Sequence, residues 1–175
     1  MLSLGILHET LLRWAPPPVR VLAQAHAFIP TRIDPESGMR RAVGTPDSVQ
    51  VLTVLENGAR GVYQFSGVLP YGQGAGIHLY GSRGALHYDL TTDRIRGGSA
   101  SGGAAPGPAE ALAEIPIPAD KARAWSVEAD FVASVRAGAP VRFTDFATGV
   151  AYMEFTEAVA RSAQEGVAVD LKEEG

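Results

Sequence analysis

The chain has 175 residues, a hydrophobic fraction of 46%, a charged fraction of 19% and a net charge of −4, the profile of a globular domain large enough to bury its own core. The acidic balance argues against nucleic acid or an anionic membrane as partner, and no apolar run reaches the ~18 residues of a membrane span. Cysteine is absent, which excludes disulfides, thiolate metal sites and a cysteine nucleophile.

Residues 3–14, SLGILHETLLRW, predict a short helix with Ile6, Leu7, Leu11 and Trp14 on its apolar side, stopped by Pro16, Pro17 and Pro18. Val19–Phe28 alternates and reads as a strand, followed by an irregular stretch over 30–46 rich in Pro, Arg and Gly. Val49–Leu55 and Ala59–Leu69 form a hairpin across Asn57-Gly58, a pair that accepts the positive φ of a tight turn. Further strands are expected at Ile77–Tyr80 and Ala85–Leu90, on either side of the tight turn GSRG, and at Ala111–Ile117. Residues 97–108, GGSASGGAAPGP, read as a flexible low-complexity loop.

The last third carries the strongest pattern. Two helices are joined by a Gly-Ala-Pro turn. The longer starts at Asp145, whose carboxylate can accept from the first turn's free N–H groups, and stops at Gly166, where a left-handed cap is least strained. Its stripe of Ala147, Ala151, Phe155, Ala158 and Ser162, widened by Val150, Met153 and Val159, suits close packing on a sheet, and Val167, Val169 and Leu171 then alternate like a strand. The order predicts an α+β fold: one domain over 1–175, an open, mostly antiparallel sheet with helices packed on one face. Val49–Leu55 is apolar on both sides, so a second cover is expected from another copy of the chain, a homo-oligomer formed through the sheet face.

Four segments, GILHETLLRW, LENGARGVYQFSG, IHLYGSRGALHYD and SAQEGVAVDL, in this order, resemble the C-terminal domain of the Gfo/Idh/MocA oxidoreductases. The resemblance implies an open sheet that lines an active site on one side and makes the oligomer interface on the other. It also implies that the family's Rossmann domain and the first strand of its second domain belong upstream of Gly5. The turn Gly72-Gln73-Gly74-Ala75-Gly76 has the wrong spacing for a dinucleotide fingerprint and runs into a strand. Neither lysine, Lys121 or Lys172, is followed by the proline of the family's lysine-proline element. The family's G-x-H-x-x-D element aligns its histidine on Leu7 and its aspartate on Thr10; a one-residue slip brings His8 into register and still leaves no aspartate.

His8 and Glu9 are therefore the candidate substrate-binding residues, against the alternative that both lie on the solvated face of an amphipathic helix. No residue is assigned as catalytic, cofactor-binding or metal-ligating. His26, His78 and His87 match no local metal spacing, and His78 and His87 are placed to face each other across the GSRG turn. Asp130 and Asp145 read as helix-start carboxylates, and Arg40 and Arg41 as loop cations. The expected function is a substrate-pocket and oligomerisation domain, inactive alone, binding no cofactor itself and using NAD or NADP if a Rossmann partner completes it. The alternatives are a subunit of a two-chain sugar or polyol dehydrogenase, and a non-enzymatic ligand-binding or interaction module. Cytoplasmic location is the expectation, since the first fifteen residues lack the basic start of a signal peptide.

Overall fold

The computed structural model describes residues 2–72, 74–100, 112–122, 125–141 and 144–171. It divides into two compact units, Met1–Pro70 with Pro140–Gly175, and Tyr71–Ala139.

In the first unit, β1 (Pro18–His26), β4 (Ser48–Leu55), β5 (Arg60–Ser66) and β10 (Val169–Asp170) form an antiparallel sheet in the order β10-β1-β4-β5. Period-two alternation gives it two faces. Val21, Ala23, Val49, Val51 and Tyr63 point inward and form a core with Leu4, Phe155, Ala158, Val159 and Val169. Helices α1 (Leu2–Leu11) and α3 (Phe146–Glu165) close that face. The Asp145 side chain accepts from the N–H of Thr148 at 2.8 Å, and Gly166 caps the far end at φ 71° with its N–H on the Ser162 carbonyl.

α3 crosses the strands. Phe155 packs on Tyr63 of β5, whereas the Ser162 hydroxyl accepts from the N–H of Ala23 on β1 at 2.9 Å. Those seven residues are ~10 Å of helix, about two strand spacings. The same hydroxyl donates to the Val167 carbonyl at 2.6 Å. α1 lies close on α3 because Gly5 has no Cβ; one added there would sit 3.3 Å from the Tyr152 ring.

Two expectations about buried faces are corrected. α1 buries Leu4 and His8, with Leu11 half-buried, and leaves Ile6 and Trp14 exposed. On α3, Ala147, Ala151, Val150 and Met153 are exposed and only Phe155, Ala158, Val159 and Ser162 are fully buried. The helix runs on past β5, beyond the sheet it covers.

On the outer face the register aligns rows across three strands. Leu22, Leu52 and Val62 form one row and Gln24, Gln50 and Gln64 the next. The apolar row is open, with Leu52 55% and Val62 74% exposed. The stretch expected to be irregular contains a hairpin, β2 (Thr31–Ile33) with β3 (Arg40–Ala42).

The second unit holds the antiparallel sheet β6-β7-β8-β9, made of Gly76–Gly81, Gly84–Asp89, Arg94–Ser99 and Ala113–Glu114, and helix α2 (Val127–Ala137). β8 takes in Gly97–Ser99 from the expected loop; residues 101–108 of that loop lie outside the described residues. The expected central strand at Ala111–Ile117 is, among the described residues, the two-residue β9 at the end of the strand order. The expected α+β architecture is present, with all paired strands antiparallel and helices on one face of the first sheet. No helix among the described residues is long and apolar enough to cross a membrane.

Candidate functional site

The two candidate residues on α1 point in different directions. His8 follows Leu4 by one turn and enters the core with it, only 1% exposed. Its ring stacks on Phe155 with centroids 3.6 Å apart and planes 16° from parallel, and its Nδ1 lies 2.9 Å from the Tyr63 hydroxyl. Burial drives the imidazole pKa from its ordinary 6.5 down to about 4, because a desolvated ring resists a charge. Burial likewise pushes the Tyr63 phenol up, so both groups are neutral at pH 7. The reading that places His8 on a solvated helix face is therefore corrected. A buried polar ring is tolerated here because Tyr63 satisfies it and Phe155 supplies its contact area.

Glu9 emerges beside α3. Its Oε1 accepts from the Arg13 guanidinium at 2.8 Å and from the Thr144 hydroxyl at 2.9 Å, and its side chain keeps 15% of its surface in solvent. Thr144 immediately precedes the Asp145 cap, so the α3 start helps fix the carboxylate. The result is a tethered acceptor with hydrogen-bonding capacity for a donor-rich ligand. Thr10, the position of the family's aspartate, turns its hydroxyl onto the Ile6 carbonyl at 3.1 Å. Tyr63 and Thr144 escape sequence reasoning, since each joins the site through a contact far along the chain; the one available signal is Tyr63's inward parity with Phe65.

Elsewhere, His78 and His87 do face one another across β6 and β7, stacked at 4.1 Å with Tyr80 edge-on to both. Burial, and then the neighbouring His78, lower the His87 pKa. Among the described residues no three His, Asp or Glu side chains gather as a metal centre requires. Gly76 begins strand β6, so the glycine run leads to no helix N-terminus that could hold a pyrophosphate, and this sequence does not fit a dinucleotide.

Residues 1–87 match the model of the GFO/IDH/MocA C-terminal domain. Comparison with curated protein sequences finds no match. Among solved structures, levoglucosan dehydrogenase in complex with NADH and L-sorbose is similar with a TM-score of 0.74 and 19% identity, over 96% of this chain and 49% of that one. An oxidoreductase domain protein from Kribbella flavida has a TM-score of 0.68 and 19% identity, over 89% and 45% of the two chains. The aldose-aldose oxidoreductase from Caulobacter crescentus complexed with glycerol has a TM-score of 0.67 and 18% identity, over 95% and 45%. At these identities the likeness is one of fold, and the chain spans about half the length of the structures it matches. With the family model on its first half and this fold throughout, the chain belongs to the GFO/IDH/MocA family, as a C-terminal domain.

Proposed function

We propose that the chain is the substrate-pocket and oligomerisation domain of a GFO/IDH/MocA-type oxidoreductase, inactive without a nucleotide-binding half. The observation that carries this reading is the two-sided sheet of the first unit. Helices cover one face, and the other turns the Leu22–Leu52–Val62 row to solvent. A solvent-facing apolar row flanked by amides suits a second copy of itself, since two-fold symmetry lets one patch cover the other.

The substrate meets the helix side. Glu9, tethered by Arg13 and Thr144, accepts hydrogen bonds from substrate hydroxyls. His8 is a positioning residue behind it, fixing α1 through Phe155 and Tyr63. A sugar or polyol is the substrate class; the L-sorbose and glycerol named with two similar structures support it. The NADH named with levoglucosan dehydrogenase supports NAD or NADP as the cofactor of the completed enzyme, held by a Rossmann partner. No hydride step is assigned to this chain's own residues.

Light scattering on the purified chain tests the reading. The expected mass exceeds the 18.4 kDa of a single chain and falls when Leu52→Arg places a charge in the apolar row. A particle of 18.4 kDa at high micromolar concentration, or a mass indifferent to Leu52→Arg, would overturn it. So would micromolar binding of NAD or NADP to the chain alone, measured by calorimetry.

A further inference from the structure

Edge strand β6 is held to the second sheet by β7 alone. On the face of this hairpin that carries the histidines, the register sets Gly76 opposite Asp89, His78 opposite His87 and Tyr80 opposite Ala85. A glycine and an alanine offer little to pack on, so the two imidazoles supply the main cross-strand contact of that face. Their rings lie 4.1 Å apart and 12° from parallel. Tyr80 stands edge-on to both, with its hydroxyl 3.5 Å from the Nδ1 of His78.

The charges around the stack are positive or already engaged. Arg96 of β8 stands opposite His87 on the side away from β6. Glu114 of β9, opposite Arg96, pairs with Arg94 at 3.3 Å. The Asp89 carboxylate accepts from the N–H groups of Thr91 and Thr92 at 2.8 and 3.1 Å. Neither histidine forms an ion pair among the described residues. The Nε2 of His87 is enclosed and has no hydrogen-bond partner there. One charged ring can stack on a neutral one. Two charged rings at this distance repel, and Arg96 adds to the repulsion.

We propose that the His78–His87 stack is an acid-released latch, which holds β6 on β7 while at most one ring is charged and lets the edge strand part when both charge. Burial, and then the neighbouring His78, keep the His87 pKa below its ordinary 6.5 in the closed hairpin, whereas an opened hairpin takes up the proton at that ordinary value. The latch therefore holds in full above pH 6.5 and loosens as the pH falls below it. It is separate from His8, which belongs to the first unit.

The test is amide hydrogen exchange of the whole chain, followed residue by residue by NMR at pH 7.5 and 5.0 and expressed as protection against the intrinsic rate. Protection of the β6 amides bonded to β7 should fall by about threefold or more. The ceiling is about thirtyfold, for a ring that titrates near 6.5 when open and stays neutral when closed. His87→Phe keeps an aromatic stack that cannot charge and should abolish the fall. In His78→Phe the His87 ring stays buried but loses its charged neighbour, so its own midpoint, read from its C2–H resonance, should rise. The β4 amides of the first unit report in each variant that the chain is folded. Equal protection at the two pH values, a fall that survives His87→Phe, or an unchanged His87 midpoint in His78→Phe each overturns the proposal.

Discussion

Acid should weaken the first unit through a single ring. His8 is held at about 4 in the folded chain, whereas exposed in the unfolded chain it titrates near 6.5. A base whose folded pKa is depressed contributes stability in full above 6.5 and loses it as pH falls from 6.5 towards 4, because the unfolded chain takes up the proton first. Each pH unit inside that window costs about 1.4 kcal/mol, so lowering the pH from 7.5 to 5 should remove about 2 kcal/mol. The loss should reach about 3 kcal/mol by pH 4. The assay is urea unfolding at pH 7.5, 6.5, 5.5 and 5.0 for the wild type and His8→Leu. Every other ionisable group is common to both proteins, so the difference in slope isolates His8. His8→Leu also orphans the Tyr63 hydroxyl, which shifts its stability at every pH but not the slope. Equal slopes would mean that the ring charges freely in the folded chain, and the buried His8–Phe155 stack would be wrong.

Two further substitutions probe the same unit. Phe155→Ala should cost about 3–5 kcal/mol by denaturant titration, because it empties a fully buried aromatic site and removes the surface on which His8 stacks; a loss below about 1 kcal/mol would place that face of α3 in solvent. Asp145→Ala should cost about 1 kcal/mol by freeing the Thr148 N–H, with helical content falling at the start of α3; unchanged stability would show the cap to be idle.

Features set by neighbouring residues were legible in the sequence. Asp145 and Gly166 mark the ends of α3, and Asn57-Gly58 marks the β4–β5 hairpin, because capping and positive φ depend on a few adjacent atoms. Features set by distant contacts were not. A histidine counts as polar in any periodicity, so the buried stripe of α1 was read on Ile6 and Trp14. The partner that makes His8 tolerable inside, Tyr63, lies 55 residues away. The α3 stripe continues through Ala147 and Ala151, yet the 20-residue helix is ~30 Å long and four strands span about half that distance. Hairpin β2–β3 was invisible for a similar reason: the base of its turn is held by Asp47, a side chain outside the hairpin. At the site, Glu9 was found but Thr144, 135 residues on, was not.

The Ser162 hydroxyl has a consequence for self-assembly beyond its place in the core. β10 is only two residues long and pairs with Arg20 and Val21, so beyond it the backbone of β1 lies open on that side. The Ala23 N–H, which would otherwise recruit a passing strand, is taken by Ser162, and the same oxygen hands its proton on to Val167. One side chain, itself fully buried, thus acts as the sheet's terminating group. A strand from another molecule finds no free N–H at this point of the border, which leaves β5 the more open edge of this sheet.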